Sequence, residues 1–172
     1  MKSIAFLAVL LALTLGVSPV PALAQEKGVA PPAKAATITG PASVRDGDSL
    51  FVLGREVRLS GVDAPEWDQK CAGPDGKPWL AGQEAAAWLR SRLDGQTVSC
   101  VTETMDRYHR AISTCFLGGE NVNETLVREG WAVAYTRYSI RYVPAEDAAK
   151  AEGRGIWRGR CDPPEAWRRS GK

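Results

Sequence analysis

Short alternating runs dominate the chain from about Thr37 onward. Thr37-Ile38-Thr39, Ser49 to Leu53 and Glu56 to Leu59 alternate apolar with polar positions, and Gly40-Pro41, Asp46-Gly47 and Gly54-Arg55 punctuate them as turns. Three strands therefore come first. Period 2 in the third run sends Val57 and Leu59 one way and Arg58 and Ser60 the other. Arg58 is thereby presented to a solvated face beside the loop Asp63 to Glu66. The stretch Trp67 to Pro78, rich in Gly and Pro, reads as irregular. The period then changes: Ala85, Ala86, Trp88, Leu89 and Leu93 recur at helical spacing between Leu80 and Leu93, and Asp94-Gly95 closes the segment. Thr97 to Thr102 and Arg110 to Leu117 read as two more strands, joined by the cation-rich Asp106-Arg107-Tyr108-His109-Arg110. Asn123 to Glu129 is a short helix stopped by Gly130, Trp131 to Tyr142 is aromatic and irregular, and Pro144 starts a last helix through Ala151.

Five strands with a helix between the third and fourth predict an α+β, mainly β, fold: a five-stranded OB-fold-type barrel with about three α-helices packed outside. Such a fold names no activity by itself. The ends carry other signals. A positive start at Met1-Lys2, an apolar run from Ile4 to Val17 and Ala22-Leu23-Ala24 form an export leader, cleaved after residue 24. The run falls short of the ~20 residues that span a bilayer, and no later segment qualifies. The mature chain is thus expected to be secreted or periplasmic, without stable membrane association. Residues 25–36 read as a flexible linker, 37–160 as the barrel domain and 161–172 as a tail whose Trp167-Arg168-Arg169 is a frayed, solvated end.

Export changes the meaning of the four cysteines, which in an oxidising compartment pair as disulfides. Three connectivities are open. Cys100 and Cys115 sit in consecutive strand-like runs and can face one another, which leaves Cys71 with Cys161. The net charge of +2 is no global polycation, so contacts with nucleic acid have to be concentrated in a cleft.

Candidate chemistry gathers in Val44-Arg45-Asp46-Gly47-Asp48-Ser49 and Val57-Arg58-Leu59-Ser60-Gly61-Val62-Asp63-Ala64-Pro65-Glu66. Asp48, Asp63 and Glu66 supply hard oxygens and a base, and Arg58 a planar donor fork suited to phosphate. Any one of these is ordinary alone, since Asp-Gly-Asp is common in turns and an exposed arginine is common on strands. One histidine, His109, excludes mechanisms that need a histidine pair.

Taken with Asp106-Arg107-Tyr108-His109-Arg110 and Val122-Asn123-Glu124-x-Leu126-Val127-Arg128-x-Gly130, these motifs, in this order, resemble the staphylococcal nuclease (thermonuclease) family from Thr37 to Trp157. The resemblance implies a calcium-dependent phosphodiesterase of DNA and RNA whose products end in a 3′-phosphate. It implies Ca2+ ligation by Asp48, Asp63 and the main-chain carbonyl of Ala64, where the family often has Thr. It further implies water activation by Glu66, phosphate gripping by Arg58 and Arg110, and contact with the neighbouring phosphate from Arg107 and Tyr108. Tyr135 and Tyr138 lie where the family flanks its base pocket. His109 stands where the family commonly has glycine, and a positive φ there would strain the loop that presents Arg110. Of the tryptophans, Trp67, Trp79, Trp88, Trp131, Trp157 and Trp167 read mostly as packing residues. A monomer is expected. The alternative is a non-catalytic OB-barrel module that binds single-stranded nucleic acid or a protein partner; it has no need to keep Asp48, Arg58, Asp63, Glu66 and Arg110 together.

Overall fold

The computed structural model describes residues 36–171. The expected leader, and all of the linker except Ala36, lie outside the described residues. In chain order come β1 (Thr37–Val44), β2 (Ser49–Val52), β3 (Arg55–Leu59), β4 (Val62–Asp63), β5 (Lys70–Ala72), β6 (Pro78–Leu80) and helix α1 (Ala81–Leu93). They are followed by β7 (Thr97–Met105), β8 (Ala111–Leu117), β9 (Glu120–Asn121), α2 (Val122–Arg128), β10 (Val133–Ala134), α3 (Val143–Glu152), a 3₁₀ turn (Gly155–Arg158) and α4 (Pro164–Arg169).

The sheet runs β3-β2-β1-β7-β8-β9, and β3 closes it by pairing in parallel with β8, Val57 opposite Ala111 and Leu59 opposite Ser113. Five strands thus make the closed barrel, and two-residue β9 extends it beyond β8. Alternation drives this closure. Along β1 the inward positions Ile38, Ala42 and Val44 are buried, and Leu50, Val52, Val57, Leu59 and Val98 fill the interior with them. Helix α1 lays Ala85, Ala86, Leu89 and Leu93 inward, as its spacing predicts.

Four features differ from the sequence reading. Gly40-Pro41, read there as a turn, lies inside β1 and pairs with Val98 and Thr97 of β7. The stretch after Trp67 contains a small hairpin, β5 with β6, because Cys71 is buried and pairs with Cys161. The aromatic stretch after Gly130 contributes β10 to a two-stranded pair with β4, placing Val133 opposite Asp63. A fourth helix forms from Pro164 to Arg169, where a frayed end was expected. Both disulfides follow the favoured pairing, with Cys100 and Cys115 directly opposed between β7 and β8.

One buried side chain joins the barrel seam to its helices. Asn123, on α2, accepts from the Cys115 N–H at 3.0 Å and donates to the carbonyls of Ser60 at 2.9 Å and Ser113 at 3.1 Å. It thereby satisfies backbone groups at the end of β3 and in β8, next to the segment that carries Asp63. The Asp106–Arg110 turn is held in a comparable way. Asp106 Oδ1 accepts from the backbone N–H groups of Tyr108 at 2.9 Å and Arg110 at 3.0 Å, and these bonds keep His109 at φ 63°, in the left-handed region.

Replacing Asn123 by Ala strands the buried Cys115 N–H and Ser60 carbonyl, while the Ser113 carbonyl keeps its bond from the Ser60 N–H, and denaturant titration should show a loss of about 2 kcal/mol or more; a loss under about 1 kcal/mol would contradict this bridging role. His109→Gly removes the left-handed penalty at the cost of a freer unfolded chain, so a small gain of about 1 kcal/mol or less is expected. A clear loss of stability would show that the imidazole holds the turn.

Candidate active site

The site is built where the β1–β2 turn meets the segment after β3. In that turn the backbone N–H groups of Arg45 and Asp46 both donate to the Ser49 carbonyl, and Asp46 Oδ1 accepts from Asp48 N–H at 3.1 Å. This points the Asp48 side chain inward, where Oδ2 accepts from Ala64 N–H at 3.2 Å and Oδ1 from the Ser49 hydroxyl at 3.1 Å. Glycine is needed in the turn: a Cβ on Gly47 would lie 2.7 Å from that of Ala64. Small residues on both sides let the turn and the Asp63–Glu66 segment touch.

Arg58 crosses between the two acidic groups. Its Nη2 lies 3.0 Å from Asp48 Oδ2 and 3.4 Å from Asp63 Oδ1, and Asp63 is 1% exposed. Two buried carboxylates converging on one guanidinium are electrostatically costly unless further positive charge is near. Burial pushes the Asp48 carboxyl up to about 6; Arg58 acts against that, while Asp46 and Asp63 add to it.

Glu66 follows on a loop fixed from two directions. Its backbone N–H donates to Gln69 Oε1 at 3.2 Å, and its carbonyl accepts from Gln69 N–H at 2.9 Å. The start of α1 packs against that carbonyl so closely that a Cβ on Gly82 would lie 1.9 Å from the oxygen. Gln69 is fully buried and reaches on to donate from Nε2 to the Asp162 carbonyl at 2.8 Å. Gln69 and Gly82 went unread in the sequence, because neither carries a charge nor belongs to a quoted motif.

From Arg58 a cleft of about 760 Å³ runs between the β7–β8 turn and the segment after β10, lined by Arg107, Tyr108, Arg110, Tyr135 and Tyr138. Asp106 Oδ2 accepts from Arg110 Nε at 2.8 Å. Arg107 and Arg110 lie 4.7 Å and 5.6 Å from the Tyr108 ring, which is 63% exposed, and Tyr135 meets Tyr138 edge-on at 5.0 Å. Glu103 also lines the cleft: it accepts from Ser60 Oγ at 2.8 Å, Thr114 Oγ1 at 2.6 Å and Arg141 Nη1 at 3.1 Å. Burial works to raise its carboxyl, yet the hydrogen bonds from Thr114, Ser60 and Arg141 outweigh that and hold it below the usual range. The cleft therefore joins cations, aromatic rings and the acidic pair through Arg58.

The tail delivers a residue the sequence reading assigned to solvent. Arg168, on α4, grips Asp63 with both nitrogens, Nη1 to Oδ1 at 3.0 Å and Nη2 to Oδ2 at 2.8 Å, and Nη1 also donates to Glu66 Oε1 at 2.6 Å. Hydrogen bonds to Asp63, then to Glu66, hold this guanidinium above its usual range. No local pattern marks Arg168; only the Cys71–Cys161 pairing, which returns the tail to the Gln69 loop, hints at it.

All nine expected site residues other than the cysteines therefore fall in one continuous region. Asp48, Asp63, Ala64, Glu66 and Arg58 form its acidic end, and Arg107, Tyr108, Arg110 and Tyr135 its cleft. Among the described residues no three His, Cys, Asp or Glu side chains converge as a metal cluster. Asp48 and Asp63 are instead two buried carboxylates that share Arg58, and they offer hard oxygens of the kind that calcium takes.

Comparison with known proteins gives the same direction. A model of the family described as staphylococcal nuclease homologue matches residues 56–159. The succinoglycan biosynthesis protein ExoI of Rhizobium meliloti is 40% identical over 124 residues, 70% of this chain and 65% of its own length. A probable endonuclease LCL3 of Schizophyllum commune is 36% identical over 119 residues, 59% of this chain and 39% of its own. An uncharacterized endonuclease of Haemophilus influenzae is 31% identical over 137 residues, 75% of this chain and 71% of its own. The chain thus spans less than two thirds of the first two relatives. With the family match covering more than half of the sequence, on a closed barrel with the expected helices, this chain belongs to the staphylococcal nuclease homologue family.

Proposed function

We propose that this chain is an exported, calcium-dependent nuclease that hydrolyses phosphodiesters of DNA and RNA with little sequence preference. The observation that carries the reading is Arg58: it contacts the buried pair Asp48 and Asp63 and lines the cationic, aromatic cleft. Relatives named endonuclease in Schizophyllum commune and Haemophilus influenzae support the same activity. A barrel that only binds single strands gains nothing from burying two carboxylates at the end of its cleft, where they repel phosphate.

Asp48, Asp63 and the Ala64 carbonyl are the residues to hold calcium, which supplies Lewis-acid polarisation of a phosphate oxygen when bound. Glu66, fixed by Gln69 and Gly82, takes a proton from the attacking water. The water oxygen bonds to phosphorus, the bond from phosphorus to the 5′-oxygen breaks, and the departing oxygen takes a proton from solvent, so that the products carry a 3′-phosphate and a 5′-hydroxyl. Arg58 and Arg110 donate to the phosphoryl oxygens as their negative charge grows, where planar forks outperform point charges. Arg107 and Tyr108 contact the adjacent phosphate, and Tyr135, with Tyr138 beside it, stacks a base. Because the polar contacts address the backbone and stacking accepts any base, they do not discriminate sequence.

Cleavage of single-stranded DNA by the mature chain should require calcium and stop with chelator. Glu66→Gln should lower the rate about 10²- to 10⁴-fold, and Arg58→Ala about 10²- to 10³-fold, with the fold intact by circular dichroism. DNA binding without cutting in the wild type would turn the assignment to the binding module. Calcium affinity should also depend on pH. Asp48, raised from 3.8 to about 6, keeps its proton through that window when calcium is absent. Its contribution to stability is present below the unfolded value and lost as pH rises through 6, while calcium gains a deprotonated ligand over the same range. Calorimetric titration should show tighter calcium binding at pH 7 than at pH 5; equal affinity would show that no ligand gives up a proton to the cation in this range.

A further inference from the structure

Arg168 sits on the carboxylates that the proposed chemistry needs free. Asp63 gives both oxygens to this guanidinium and shares Oδ1 with Arg58, so a cation has to compete with two arginines for it, and at Glu66 the same guanidinium holds Oε1 and leaves only Oε2 for a water. The contact is built rather than incidental. Residue 160 forms a two-way backbone bridge with Ala72, N–H to carbonyl at 2.9 Å in each direction. The disulfide Cys71–Cys161 follows, and Gln69 then holds the Asp162 carbonyl. A Cβ on Gly159 would lie 2.1 Å from the Ala72 carbonyl, so the close approach demands glycine there. Pro163 and Pro164 then turn the chain into α4, whose Arg168 is seven residues beyond the disulfide.

We propose that Arg168 is a tethered internal cation, a C-terminal latch that neutralises Asp63 and Glu66 and that calcium has to displace when the nuclease site is loaded. This rests on the calcium-nuclease reading above. The tether matters because a short connection holds a competing group at an effective concentration on the order of millimolar, so the latch returns whenever the cation leaves. The free protein thereby keeps Glu66 engaged in an ion pair. It also follows that apparent calcium affinity is reduced by the fraction of molecules in which the latch is closed.

Two measurements separate this from its rivals. Calorimetric titration with calcium should show Arg168→Gln binding about tenfold tighter or more than wild type, with Arg168→Lys, which lacks the bidentate fork, in between. Trypsin should cut wild type after Arg168 faster with calcium than with chelator, because displacement frees that side chain from Asp63 and Glu66. Equal calcium affinity in wild type and Arg168→Gln overturns the latch and leaves the calcium site standing. Weaker binding in Arg168→Gln also overturns it and makes Arg168 a supporting residue of the site. No binding in either protein, in folded samples, overturns the latch and the calcium reading together.

Discussion

Two carboxylates out of water, a few ångströms from one arginine, set the terms for the rest of this molecule. Asp48 and Asp63 repel one another and are poorly hydrated, so they persist only with compensating charge. Arg58 supplies one cation from within the barrel and Arg168 another from the far end of the chain. A divalent cation would satisfy the same requirement more completely. The acidic pair is thus costly to the fold and useful to the chemistry.

The scaffold explains how that cost is borne. Parallel closure of β3 on β8 fixes Arg58, and Asn123 satisfies the backbone where β3 gives way to the Asp63 segment. Close backbone approaches do the rest. Gly47 lets the first turn meet Ala64, and Gly82 lets α1 meet the Glu66 carbonyl. Gln69 then links the Glu66 loop to Asp162. Site precision in this protein comes from packed main chain and a buried amide, with charged groups projecting from them.

Much of this was legible in the sequence, and the limits have physical causes. Alternation exposed the barrel strands, because one face of each is buried, and it set Arg58 opposite Val57 and Leu59. Cys100 and Cys115 were readable as neighbours because they lie on consecutive strands. The pairs β4–β10 and β5–β6 were missed because two or three residues carry no period. Helix α4 was missed because six residues cannot declare a helix, and its partners lie about a hundred residues away in Asp63 and Glu66. The doubt attached to His109 had a real basis, since its φ is positive, and Asp106 supplies the hydrogen bonds that hold the turn.

The most direct test of the acidic pair is calcium binding to an Asp63→Asn variant of the mature chain, followed by calorimetry beside a check of fold and of DNA affinity. One calcium bound by the wild type and none by the variant, with the fold and DNA binding retained, is the result expected if Asp48 and Asp63 make the site. Undiminished calcium binding by Asp63→Asn would contradict it and place the cation elsewhere on the chain.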